Sequence, residues 1–209
     1  MARDNFDAYG PALAQSLNNL SVRLAESGDR PAALVTSQRA VDIRESLARN
    51  NFATYGPVLA QGLNNLSVDL AESGDHPAAL VASQRAIDIR ESLARDNFAA
   101  YGPELAASLN NLSNHLAKGG DRLATLVTGR RAVDIYESLA HDNFTVYGPI
   151  LAGSLGNLSN RLAEDGDRKG ALMTIRRAVE IIEPFAKPGT LYADWQVSMQ
   201  STLHRLEEQ

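Results

Sequence analysis

A repeat of 46 residues constrains this sequence more than any other feature. Four similar units, equally spaced, open at Leu13, Leu59, Leu105 and Leu151. The first two units agree at 38 of 46 positions. A period of this length is typical of arrays in which each unit packs only on its neighbours. We therefore expect one repeat domain over 1–209, with units at about 13–58, 59–104, 105–150 and 151–190.

Each unit has the pattern of two helices. In the first unit, one helix is predicted from about Pro11 to Ser27, entered through Gly10 and ended by Gly28. Its apolar face carries Leu13, Leu17, Leu20 and Leu24 at spacings of four, three and four. The second helix is predicted to begin after the N-cap Asp29 and to end at about Arg49. A connection containing Phe52, Tyr55 and Pro57 would then lead to the next unit.

The turn between the two helices is short, so they are expected to pack antiparallel. Neither helix can bury its apolar face alone, so the units must stack. Close contacts between helices are predicted where every unit keeps a small residue. These positions hold Ser21, Ser67, Ser113 and Ser159 on the first helices, and Ala33, Ala79, Ala40, Ala86, Ala132 and Ala178 on the second.

The helix carrying Leu17-Asn18-Asn19-Leu20-Ser21, followed by Leu24, Gly28-Asp29, Ala33 and Ala40, resembles a tetratricopeptide repeat. It is most similar to the long-period repeats of kinesin light chains and of bacterial arrays. The resemblance implies an all-α fold, a right-handed α-α superhelical solenoid of four 46-residue helix pairs. It also implies a non-catalytic scaffold that binds protein or peptide segments in a concave groove lined by the first helices.

The sequence departs from the family pattern in its aromatic residues. The second helices lack the family's aromatic residue and carry Ser37, Ser83, Gly129 and Ile175 instead. We expect the phenylalanine and tyrosine of each connection to pack at the repeat junctions in its place. The alternative is an exposed aromatic ladder that binds a partner.

The two ends of the sequence carry separate expectations. Residues 1–6 align with residues 93–98, so the sequence begins like the tail of a missing second helix. A cut inside a longer array would produce this beginning, and a natural start is the alternative. After Pro188-Gly189, a helix over about 191–207 is predicted to cap the last repeat, with a partner-binding helix as the alternative. Its apolar residues are Tyr192, Trp195, Met199, Leu203 and Leu206.

Composition excludes several classes of function. The formal net charge of −5 argues against a nucleic-acid partner, which needs a basic face. No apolar run approaches the roughly 18 residues of a membrane helix, and residues 1–6 lack the apolar stretch of a secretory signal. The absence of cysteine fits a reducing compartment. We therefore expect a cytoplasmic protein with no membrane partner.

The sequence contains few residues in arrangements typical of catalysis or metal binding. Four histidines, at His76, His115, His141 and His204, occupy scattered positions without metal-binding spacing. No glycine-rich phosphate loop and no Gly-x-Ser-x-Gly motif occurs. The sequence therefore predicts no enzyme, no cofactor and no metal.

The outward face of the first helices is the better candidate site. A helical projection centred on Leu17 turns Gln15, Asn19 and Val22 away from the core. The predicted groove face comprises Asn19, Asn65, Asn111, Asn157, Gln15, Gln61, Val22, Val68, Asn114 and Asn160. A carboxamide both donates and accepts, so it can bind the backbone of an extended peptide. The alternative is that these asparagines bond to the neighbouring repeat and keep the stack in register.

Two other functions stay open from the sequence. The chain could be a structural or sensor segment of a larger signalling protein that contacts mainly its own chain. It could also self-associate through the open N-terminal repeat face, where the missing helix leaves the leucines of the first unit uncovered.

Overall fold

The computed structural model describes residues 2–208, except for the side chains of residues 2–5 and 7. Within that range the chain is helical and contains no strand. Its helices are α1 (Ala2–Glu26), α2 (Arg30–Asn50), α3 (Phe52–Glu72), α4 (His76–Asp96), α5 (Phe98–Lys118), α6 (Arg122–Asp142), α7 (Phe144–Glu164), α8 (Arg168–Ile182), a 3₁₀ turn (Glu183–Phe185) and α9 (Leu191–Glu208). Contacts between residues divide the chain into two compact halves, called unit 1 (1–98) and unit 2 (99–209) from this point on, while the 46-residue segments are called repeats.

Unit 1 consists of two helix pairs packed in sequence order, α1 on α2, α2 on α3 and α3 on α4. The predicted turn between paired helices is confirmed. Gly28 adopts a φ of 86°, in the left-handed region that a glycine C-cap provides. The Asp29 carboxylate then accepts a 3.1 Å hydrogen bond from the Ala32 N–H and caps α2.

The predicted start of the first helices is wrong. The helix α3 begins at Phe52, and α1 is already helical before Pro11. Asn51 alone separates α2 from α3: its N–H donates to the Leu47 carbonyl, and its side chain accepts from the Thr54 N–H at 3.1 Å. Pro57 therefore lies inside α3. Gly56 precedes it and has no Cβ, which removes part of the clash that a proline ring makes with the preceding residue.

The expected aromatic packing is confirmed for Tyr55 and Tyr147, whereas Tyr9 is 69% exposed and the phenylalanines are only partly covered. Tyr55 and Tyr147 are half-buried against the hydrophobic clusters of their units. The Phe52 ring instead lies over Gly56, where an added Cβ would meet it at 3.2 Å, and its residue stays 44% exposed. Phe144 lies over Gly148 in the same way, 47% exposed, and contacts Phe185 at a ring distance of 5.6 Å.

The predicted small-residue contacts are also confirmed. All the serines and alanines named for these positions are buried. In unit 2 the serine hydroxyls cross to the paired helix, since Ser113 donates to the Thr125 carbonyl and Ser159 donates to the Ala171 carbonyl, each at 2.9 Å. A small polar residue thus lets the helices approach and bonds the backbone of the partner helix.

Unit 2 ends with the predicted terminal helix, α9, which packs on α8. Met199 and Leu206 of α9 are buried in the core of the unit. Two glycines of α7 make room for α9: a Cβ at Gly153 would lie 3.4 Å from Trp195, and a Cβ at Gly156 would lie 3.7 Å from Met199. The predicted capping of the last repeat is therefore confirmed. None of the helices in residues 2–208 has the length and hydropathy to cross a bilayer.

Candidate functional site

In unit 1 the structure exposes most of the predicted groove face. Gln15, Asn19 and Gln61 are exposed, and Val22 and Val68 are 46% and 37% exposed. The Gln15 side chain donates a 3.0 Å hydrogen bond to the Asn19 amide oxygen, so this pair already lies side by side on α1. These side chains form a surface of amides and small apolar groups that an extended chain could contact.

Asn65 has a different environment, because it takes part in a partly buried polar junction between repeats. Its Nδ2 donates to Asn18 Oδ1 at 3.1 Å, and Arg44 Nη1 donates to the same oxygen at 3.2 Å. Arg44 is only 3% exposed, and burial lowers the pKa of its guanidinium. A Cβ at Gly62 would lie 2.6 Å from Arg44 Nη1, so the missing side chain provides the space for this group.

This junction is the inter-repeat bond that the alternative interpretation predicts for the asparagines. It applies to Asn65 and Asn18, while a role of Asn65 in ligand binding stays a prediction. Sequence reasoning did not single out Arg44, which lies in a helix rich in charged residues. The signal that could have identified Arg44 is Gly62, because the other three repeats have a serine at this position, as in Ser108.

In unit 2 the equivalent junction is uncharged. Tyr136 takes the place of Arg44 in the repeat, and its hydroxyl donates to the Pro103 carbonyl at 3.4 Å. Asn110, the counterpart of Asn18, donates to Ser154 Oγ at 2.8 Å. Ser154 is the counterpart of Gly62 in the 46-residue repeat. The stacking bond of unit 2 therefore uses Asn110 and Ser154 and does not require Asn157.

The remaining predicted residues of unit 2 have mixed surroundings. Asn111 is half-buried. Asn114 accepts a 3.2 Å hydrogen bond from Arg161, and Asn160 accepts a long, 3.4 Å bond from Arg205. Asn157 is exposed, and its side chain makes no hydrogen bond to any residue in the described part of the chain. Asn157 is thus an available carboxamide at a predicted position.

Asn157 lines a cleft of ≈ 360 Å³ between α7 and α9. The apolar lining comes from Ile150, Ile175, Trp195 and Met199. A second cleft of ≈ 700 Å³ continues along α9 and shares Asn160, Ser198 and Thr202 with the first. Sequence reasoning missed both clefts, because they depend on how closely α9 approaches α7. No group of three metal-ligating side chains occurs in the residues that the structure describes.

We predict that Asn18→Ala destabilises unit 1 much more than Asn19→Ala. The first substitution removes the acceptor of a buried guanidinium and of the Asn65 amide, at an expected cost of about 1.5–3 kcal/mol. The second removes an exposed side chain, at an expected cost below about 0.5 kcal/mol. Urea denaturation of both variants measures the difference, and equal unfolding midpoints would contradict the proposed junction.

We predict that Asp69→Asn stabilises the protein at neutral pH. Burial raises the pKa of the Asp69 carboxyl, the hydrogen bond with Ser37 lowers it, and the charge of Glu72 raises it again, with a net upward shift. A raised pKa in the folded state means that the protonated carboxyl favours folding and that this contribution is lost as the pH rises through that pKa. The melting advantage of Asp69→Asn should therefore be largest at pH 7 and disappear below the carboxyl pKa. Asp88→Asn, at an exposed site of unit 1, is the control for the loss of one carboxylate.

Comparison with known proteins supports the repeat interpretation. A family model described as a tetratricopeptide repeat matches residues 13–51 and 59–97. No curated protein matches the sequence.

Solved structures of other repeat proteins share the fold. The nearly identical TPR-like repeats of a putative kinesin light chain from Podosopora anserina superpose with a TM-score of 0.74, at 14% identity, covering 96% of this chain and 87% of that one. BtubC (BKLC) from P. vanneervenii gives a TM-score of 0.71 at 18% identity, with 87% and 67% covered. The apo form of RapI gives 0.72 at 13% identity, with 93% and 63% covered. The predicted resemblance and the all-α fold of paired helices are confirmed.

Proposed function

We propose that this tetratricopeptide-repeat array is a non-catalytic scaffold that binds an extended segment of another protein. Tetratricopeptide-repeat folds generally mediate protein interactions, and the outward face of the first helices is where this chain carries exposed amides. Each unit contributes its own surface: Gln15, Asn19 and Gln61 in unit 1, and Asn157 in unit 2. A cytoplasmic location is part of the same proposal.

The observation that carries the proposal is Asn157 beside the α7–α9 cleft. Its amide is exposed and unused by the stack, while the cleft beside it offers apolar surface. An amide that both donates and accepts can pair with a peptide backbone without selecting side chains. One such bond contributes about 0.5–1.5 kcal/mol, so binding also needs the apolar contacts.

The test is a selection of random 12-residue peptides, displayed on phage, against the full chain. We expect enriched peptides whose affinity falls about 2- to 10-fold in Asn157→Ala, the loss expected for one hydrogen bond. Fluorescence anisotropy with the synthesised peptides measures the change. Gln84→Ala, an exposed amide on α4, is the matched control. No enrichment, or enriched peptides that bind Asn157→Ala as well as the parent, would overturn the proposal.

The choice of single variants follows from the structure. Replacing the asparagines at all four repeat positions together would also break the Asn65–Asn18 bond. A loss of binding in that variant would then mix lost stability with lost contacts. Asn157→Ala and Asn19→Ala leave the inter-repeat junctions intact.

A second candidate function, self-association, has its own observation. On α1, Leu13 is 51% and Leu20 is 47% exposed, whereas Leu59 and Leu66, their counterparts on α3, are 6% and 4% exposed. Exposed apolar faces of this kind mark association surfaces.

If α1 mediates self-association, sedimentation velocity should show a mass that grows with concentration. Replacing Leu13 and Leu20 together by Gln should abolish the growth, because the apolar face is then lost. Leu123→Gln is the control, since Leu123 on α6 is 75% exposed. A strict monomer at high concentration would remove this candidate.

A further inference from the structure

We propose that the groove along α9 selects peptides carrying a bulky aliphatic side chain and a carboxylate four or five residues apart. This inference rests on the proposed peptide binding and adds the chemistry of the ligand. It uses the two adjoining clefts of unit 2, which differ in charge. The cleft at Trp195 would hold the aliphatic side chain, and the cleft at Arg205 would hold the carboxylate.

The first cleft accepts an apolar group. None of the described residues that line it is charged, and Ile150, Ile175, Trp195 and Met199 provide its apolar surface. Asn157 and Asn160 lie on the same cleft as polar groups for the peptide backbone. Apolar pockets with a few placed polar groups are the usual form of a ligand site. A leucine, isoleucine or methionine side chain suits this mixture.

The second cleft accepts an anion. Its charged lining consists of Arg161, Arg205 and Glu164, which leaves one excess positive charge on a chain whose net charge is −5. Arg161 Nη1 is already paired with Glu164 at 2.9 Å. Arg205 is exposed and bonds Asn160 only at 3.4 Å, near the outer limit for a hydrogen bond. Arg205 is therefore the cation available for a ligand carboxylate.

Hydroxyl groups that border the two clefts also favour binding of an anion near Arg205. Ser198 and Thr202 border both clefts, and Ser201 lines the second one. Hydroxyls can donate to a carboxylate or to backbone carbonyls. Arginine adds a planar guanidinium that pairs with both oxygens of a carboxylate. A carboxylate entering at Arg205 would thus find donors of two kinds.

The spacing of the two groups follows from helix geometry. Trp195 and Arg205 are separated by ten residues of α9, a rise of roughly 15 Å at 1.5 Å per residue. An extended peptide advances about 3.3 Å per residue. Four or five peptide residues therefore cover the distance between the two clefts.

The experiment uses the full chain and the peptides selected from the random 12-residue library. We expect the enriched sequences to share a Leu, Ile or Met placed four or five residues from an Asp or Glu. Replacing the acidic residue of the best peptide by its amide should weaken binding about 10-fold. Arg205→Glu should weaken binding of the acidic peptide and should restore binding to a peptide in which the acidic residue is replaced by lysine.

Two further variants separate the possible outcomes. Ser198→Trp, which fills the junction of the clefts, should abolish binding, while Arg130→Glu, an exposed site on α6, should not. Circular dichroism melting confirms that each variant is folded. If peptides bind and depend on Asn157 but show no acidic preference, or bind Arg205→Glu unchanged, this inference is overturned and the proposed function stands. If no peptide is enriched, both are overturned.

Discussion

The burial of leucines between successive repeats is the contact on which the array depends. In unit 1 the same leucine positions are nearly inaccessible on α3, where α2 packs against them, and about half exposed on α1. The two helices carry the same residues at these positions, so the sequence of one repeat does not determine its own burial. Stability in such an array is therefore a property of neighbouring pairs, as nearest-neighbour models of repeat proteins assume.

Polar junctions fix the register in which neighbouring repeats make this apolar contact. Unit 1 uses a buried guanidinium, Arg44, over a glycine, whereas unit 2 uses Tyr136 beside a serine. A buried charge is expensive unless its donors are satisfied, so the Arg44 junction ties Asn18 and Gly62 to one arrangement. The junction of unit 2 contains no buried charge that needs an acceptor, so it constrains fewer side chains. Asn157, the counterpart of Asn65 in the last repeat, is therefore not needed for stacking and is exposed.

The helix pairs, the glycine and aspartate caps, the small-residue contacts and the terminal helix were predictable, because each depends on local pattern or on the 46-residue period. The helix starts were not. Pro57 is a typical helix-start residue, and its position inside α3 depends on Asn51 capping the helix six residues earlier. The sequence also could not tell which of two adjacent asparagines has a structural role and which is exposed. Asn18 and Asn19 are the same residue type one position apart, and only the packing of Arg44 makes one structural and leaves the other exposed.

The last repeat shows how capping and a binding surface arise from the same substitutions. Gly153 and Gly156 stand where the first repeat has the larger Gln15 and Asn18. Because these side chains are missing, Trp195 and Met199 can approach α7. Gly156 is explained by its contact with Met199 of α9, so the presence of Asn157 beside a glycine is only weak evidence for ligand binding. Its exposure is the stronger evidence. A helix that packs on α8 while leaving space along α7 covers the end of the core and creates a cleft whose amide the stack does not need.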